Sequence, residues 1–221
     1  MYKLTIGVVA SALFASSAFA QQTSGDDVFI GGDASVTGTV IDGAVISTAI
    51  GDETEANARV GAIIGANIGG AANVSGSVET GGLLAVATGD NSVANAAVGV
   101  VDGGVDISGA LDVIGSITTG GAIALTTGDN SIANAGAGYV SGLTGGGDVS
   151  VTGSILNGGA AATAIGDDTI ASALVGAVDG GTTVDGSLTI LGSIENGGAL
   201  AVATGQASKA KSTVGCVGAD C

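Results

Sequence analysis

Apolar residues alternate with polar ones around a glycine at five places along the chain. Val36 and Val40 flank Gly38, Val74 and Val78 flank Gly76, Val113 and Ile117 flank Gly115, Val151 and Ile155 flank Gly153, and Ile190 and Ile194 flank Gly192. A period of two marks a half-buried strand, and the central glycine permits a bend or a close backbone approach. These glycines follow one another at intervals of 38, 39, 38 and 39 residues. The chain is therefore built of internal repeats.

Two further glycines keep fixed distances within every copy. One stands 13 residues on, at Gly51, Gly89, Gly128, Gly166 and Gly205, and another 10 residues beyond it, at Gly61, Gly99, Gly138, Gly176 and Gly215. Between the first and second come turn signals such as Asp42-Gly43 and Asn157-Gly158, which favour positive φ. After the second, Gly-Asp-x-Ser/Thr opens another turn at Asp52, Asp90, Asp129 and Asp167, and the fifth copy departs with Gln206. A third strand follows, with Ala56, Ala94, Ala133, Ala171 and Ala210 at one position and Asn57, Asn95 and Asn134 beside them on the other face. Small side chains on one face suit close sheet packing, and stacked Asn residues suit amide ladders.

About three short strands per copy, none wide enough to bury its apolar face alone, predict an all-β fold: a β-solenoid of stacked ~38-residue repeats. One layer per repeat and two thinner coils of ~19 residues both fit the pattern. Glycine density and the period disfavour helix. The predicted organisation is a signal peptide over 1–20, an acidic segment over 21–33, a five-repeat solenoid over 34–215 and a C-terminal cysteine loop over 216–221.

The leader reading rests on Lys3, the apolar stretch from Leu4 to Phe14 and the small-residue end Ala18-Phe19-Ala20. Thr5, Gly7 and Ser11 interrupt that stretch, which falls short of the ~20 residues a membrane-spanning helix needs. Export to the cell surface or medium follows, without membrane insertion. Cleavage after Ala20 removes Lys3 and leaves three cations against 20 carboxylates, 3 − 20 = −17. Such a balance excludes nucleic acid and anionic lipid as expected partners.

No histidine, proline or tryptophan occurs anywhere in the chain. Ser-His and Cys-His catalysis are excluded with the histidine, and the carboxylates recur at turns instead of converging once. No enzymatic activity is expected. The Asp column, at Asp52, Asp90, Asp129 and Asp167, admits calcium, but Asx turns in which each carboxylate accepts backbone N–H groups are favoured, and no cofactor is expected. Cys216 and Cys221, the only cysteines, read first as a disulfide in an exported chain, with an intersubunit thiol as the alternative.

Charge in the third strand concentrates in the terminal copies: Glu53, Glu55 and Arg59 in the first, Lys209 and Lys211 in the last. In-register stacking of one molecule's last layer on another's first sets Lys209 over Glu55, which makes these five residues a candidate assembly interface. Lysines that merely discourage edge pairing are the competing account.

The stretch Ala85-Val86-Ala87-Thr88-Gly89-Asp90 running on to Ala94-Asn95-Ala96, the absence of proline and the C-terminal cysteine pair resemble Fap-type bacterial functional amyloid subunits. The chain departs from them in having few glutamines and a Cys-x4-Cys spacing. Ala85 to Gly99 is also similar to head repeats of trimeric autotransporter adhesins. The amyloid resemblance implies a cross-β solenoid fibre, a biofilm-matrix or adhesive role, self as partner and a dedicated export machinery. A monomeric adhesin or ice- or ligand-binding module is the alternative, with Thr37, Thr39, Ser75, Ser77, Thr152 and Ser154 on its face, interrupted by Ile114 and Leu191.

Overall fold

A computed structural model describes residues 28–218. Every regular element in that span is a strand, and every pairing is parallel. The first layer consists of β1 (Val28–Ile30), β2 (Ala34–Ile50) and β3 (Glu55–Ile64). The second is β4 (Ala66–Ile68), β5 (Ala72–Thr88) and β6 (Val93–Asp102). The third is β7 (Val105–Ile107), β8 (Leu111–Thr127) and β9 (Ile132–Val140), and the fourth β10 (Leu143–Gly145), β11 (Val149–Ile165) and β12 (Ile170–Val178). In the fifth, β13 (Thr183–Val184) is followed by a long strand broken in two, β14 (Leu188–Ile194) and β15 (Gly197–Thr204), and then by β16 (Lys209–Val217).

Each layer pairs with the layer one repeat away, so one repeat makes one turn of a β-solenoid. Gly38 pairs with Gly76, Gly76 with Gly115, Gly115 with Gly153 and Gly153 with Gly192. Three sheets run the length of the rod: a narrow one through β1, β4, β7, β10 and β13, a long one through β2, β5, β8, β11, β14 and β15, and a third through β3, β6, β9, β12 and β16.

The layer differs from the sequence reading in its parts. The two strands expected either side of Asp42-Gly43 and its equivalents form one 17-residue strand with a kink in each of the first four layers. In β5, Ala72, Val74 and Val78 point inward before the kink and Leu83, Ala85 and Ala87 after it, so the inward set slips by one residue across Gly81. Gly81 has φ +127°, where a side chain would be strained, and its Cβ would meet Gly43 O of the layer below. The connector, meanwhile, carries a short strand that makes the narrow sheet. Its first member begins at Val28, ahead of residue 34, where the repeat pattern opens.

Two of the glycine columns meet. A Cβ on Gly115 would collide with Gly138 N and Val98 O, and one on Gly138 with Thr152 O. The same approach recurs from Gly38 with Gly61 through to Gly192 with Gly215. The long and third sheets thus touch backbone to backbone, and each layer is pinched at a waist. One lobe is enclosed by all three sheets and holds Ile68, Val74, Val105, Ile107, Leu111 and Leu143. The other lies between two sheets and is filled mainly by alanine, with Ala56, Ala85, Ala96, Ala124, Ala135 and Ala162 all buried.

Candidate assembly interface

The strands of the first and fifth layers are the outer members of all three sheets among the described residues. Outer strands carry backbone N–H and C=O groups directed along the rod, the donors and acceptors through which a sheet is extended.

The columns expected from the repeat are present in register. Glu55 pairs with Val93, Val93 with Ile132, Ile132 with Ile170 and Ile170 with Lys209. Glu55 and Lys209 therefore stand at opposite ends of a single column. One outward position further on, the column runs Asn57, Asn95, Asn134, Ser172 and Lys211. The amide ladder forms where asparagines stack: Asn95 Nδ2 donates to Asn57 Oδ1 at 2.9 Å and Asn134 Nδ2 to Asn95 Oδ1 at 3.0 Å.

The other predicted end residues are placed differently. Arg59 is turned into the chain's own ion pairs, with Nη2 at 3.8 Å from Glu55 Oε1 and 3.7 Å from Asp102 Oδ2. Its side chain is only 11% exposed, so it braces the first layer against the second. Glu55 also accepts from Asn95 Nδ2 at 3.3 Å, yet its side chain remains 55% exposed. Glu53 occupies a corner with φ +57°, the position held by Asn91, Asn130 and Asp168 in the next three layers and by Ala207 in the last. Cys216 lies in β16 opposite Ala177. Cys221, and with it the proposed cysteine pairing, lies outside the described residues, as do the leader and residues 21–27.

The Asp column has a role that the sequence reading located in the wrong layer. Asp52 Oδ1 accepts the N–H of Asp90, Asp90 Oδ1 that of Asp129, Asp129 Oδ1 that of Asp167, and Asp167 Oδ1 that of Gln206, at 3.3, 3.0, 2.9 and 2.7 Å. Each carboxylate thus caps the equivalent residue of the next layer instead of closing its own turn. Among the described residues no three Asp, Glu, Cys or His side chains converge. The neighbouring hydroxyl column was not singled out from sequence. Ser92 N donates to Ser131 Oγ at 3.1 Å and Thr169 N to Ser208 Oγ at 3.3 Å, and both Ser92 and Ser131 are buried. The signal was present in the recurring hydroxyl of Gly-Asp-x-Ser/Thr, at Thr54, Ser92, Ser131 and Thr169.

On the outer surface of the third sheet the waist leaves a notch. Ala97, Val100, Tyr139, Leu174 and Ala177 pack in it and are buried although they point away from both lobes. Tyr139 Oη and Arg59 Nε are buried there without a hydrogen-bond partner. Burial, reinforced by the Asp102 charge, raises the Tyr139 phenol well above its ordinary range. At the corner between narrow and long sheets, Asp148 Oδ1 accepts both the N–H and the hydroxyl of Ser187, at 2.8 and 2.7 Å, which lowers its pKa.

The hydroxyl residues of the alternative reading lie on the outer side of the long sheet. Thr39, Ser77, Ser116, Ser154 and Ser193 form an unbroken column, while Ile114 and Leu191 interrupt the column of Thr37, Ser75 and Thr152.

No protein-family model matches the chain, and no curated protein or solved structure matches it.

Proposed function

We propose that this chain is an exported, non-catalytic structural subunit of an extracellular fibre, growing by head-to-tail stacking of solenoid ends. The observation that carries the reading is the register of the columns from first layer to last. Adding a sixth layer in that register sets Glu55 of the incoming copy over Lys209, and the Asp52 N–H over the Gln206 side chain. That amide continues the cap that Asp167 supplies one layer earlier. Opposite charges on adjacent strands contribute a few tenths to about 1 kcal/mol, enough to select polarity and register, while backbone pairing along three sheets supplies most of the affinity.

The resemblance to Fap-type amyloid subunits supports a cell-surface, biofilm-matrix or adhesive role with a dedicated export apparatus. A leader removed after Ala20 delivers the chain to that compartment. Self is the principal partner, and no cofactor takes part.

Charge reversal tests the proposal. Glu55→Lys slows fibre growth, followed by dye binding and negative-stain microscopy, and Lys209→Glu in the same chain restores it. Fibres should give a meridional reflection near ~4.7 Å. Undiminished growth of the single variant discards the interface. A second reading, a monomeric adhesin or ice-binding module, draws on the unbroken hydroxyl column from Thr39 to Ser193. Mature protein that stays monomeric at high concentration favours it.

A further inference from the structure

We propose that the outer face of the Ile46–Ile50 half of the long sheet is a lateral interface. A second copy of this chain docks there face to face, its rod parallel to the first and related to it by a two-fold axis along the rod. The inference rests on the fibre reading for its affinity but concerns a different surface.

Three outward columns make this face, beginning in the first layer at Ile46, Thr48 and Ile50 and running in register through five layers. All fifteen positions are uncharged, in a chain with 20 carboxylates and a net charge of −16. The other outward faces carry charge: Asp106 on the narrow sheet, Asp112 on the first half of the long sheet, and Glu55, Lys209 and Lys211 on the third sheet. Ile46, Ile50, Ile123, Ile165 and Leu200 are between 44% and 80% exposed. Strongly acidic copies repel one another, so side-by-side approach is least opposed through this face.

Side-chain volume points to the partner. In the second, third and fifth layers the first outward residue is bulky, Leu84, Ile123 or Leu200, and the residue four places on is threonine. In the fourth the order inverts, with Ala161 first and Ile165 four places on. A two-fold axis along the rod sets the first column of one copy against the third column of the other at the same height. In layers two to five each large residue of the first or third column then meets a small one, while the middle column, with Leu125, meets itself and Ile46 meets Ile50 in the first layer. The rims agree with that arrangement. It sets the rim of Asp52, Asp90, Asp129 and Asp167 against the kink, whose two exposed columns carry three acids in ten positions, Asp42, Glu79 and Glu195, whereas reversing one rod would set the two four-carboxylate rims against each other.

Size explains why pairing belongs to the fibre. Columns ~7 Å apart and layers ~4.8 Å apart give roughly 500 Å² per copy and roughly 1,000 Å² per pair, which is at the lower bound for a specific interface. A lone pair is weak. A growing rod presents the strip without interruption, and its copies bind together.

Leu125 lies near the axis in the third layer, so Leu125→Lys sets lysine against lysine across the pair. It also lowers the net charge from −16 to −15, so general repulsion cannot account for lost pairing. Electron microscopy of the mature protein should show double-width filaments for the unaltered chain and Ser116→Lys, and single-width filaments of normal length for Leu125→Lys. Thr88→Leu alone, which faces Leu84 of the partner, should thin the filaments, and adding Leu84→Thr should restore their width. Single rods from the unaltered chain, or paired rods from Leu125→Lys, overturn the proposal. So does binding of lipid vesicles or ice through this face with no pairing. If no filaments form, the fibre reading fails separately. Sedimentation at high concentration then decides: a dimer lost in Leu125→Lys supports the pairing, and a monomer in both proteins overturns it.

Discussion

The two lobes of a layer share a boundary, the paired glycines of the waist, yet they are filled by different rules. In the three-sided lobe the space between the sheets is taken mainly by Val, Ile and Leu from all three of them. In the two-sided lobe rows of alanine hold the walls at short range, with larger residues near the kink and the waist, such as Leu83, Ile117 and Val98. Side-chain volume thus follows the spacing of the backbones, and the glycines set that spacing. The difference also predicts opposite sensitivities, because a wide lobe suffers from lost volume and a narrow one from added volume.

The most damaging test removes the boundary. Gly138 has φ +58°, and a Cβ would strike Thr152 O. A β-branched residue cannot adopt that conformation without strain, so Gly138→Val should cost more than about 4 kcal/mol and leave the chain unfolded or partly open in urea titrations. Next, Ile107→Ala in the wide lobe should cost about 2–5 kcal/mol through the cavity it leaves. Ala135→Leu in the narrow lobe should cost about 1–3 kcal/mol by prising the sheets apart. If Ala135→Leu melts like the unaltered protein, the narrow lobe is not held by its alanines and the comparison fails.

A smaller effect belongs to the outer notch at the waist. Tyr139 is buried with its hydroxyl unpaired and its phenol pKa raised above the ordinary 10.0. The stability associated with the neutral phenol is fully present below about pH 10 and is lost as pH rises towards the folded value. Tyr139→Phe should therefore be neutral or stabilising by up to about 1 kcal/mol at pH 7 and should flatten the alkaline loss of stability, read from melts between pH 8 and 11. The smallest effect is at the corner of the narrow lobe in the last layer. Ala207 sits at φ +53°, where the three middle layers place Asn or Asp. Ala207→Gly should gain a few tenths to about 1 kcal/mol, seen as a small rise in melting temperature.

Much of this was legible because the sequence period and the layer are the same length. Once Gly38, Gly76, Gly115, Gly153 and Gly192 are aligned, every in-register column follows, including the Asn ladder and the shared column of Glu55 and Lys209. What could not be read was contact across a layer. Nothing in the spacing of Gly115 and Gly138 says that they touch, because twenty-three residues can close a loop in many ways. The narrow sheet was invisible for a different reason. Its members are two or three residues long, too short for alternation to register, and its outward column changes from Phe29 to Asn67, Asp106 and Thr144. Arg59 was placed among the assembly residues by charge alone, and its reach to Asp102 of the next layer becomes apparent only once the layers are stacked. The Asp column was correctly read as a set of backbone acceptors, but its donors lie a full repeat away.

The waist has a mechanical consequence. A rod whose cross-section is two tubes fused along a seam is broader in one direction than in the other, and resistance to flexing rises steeply with breadth. Such a rod should curve readily about one transverse axis and stay straight about the other, behaving as a tape more than as a cable.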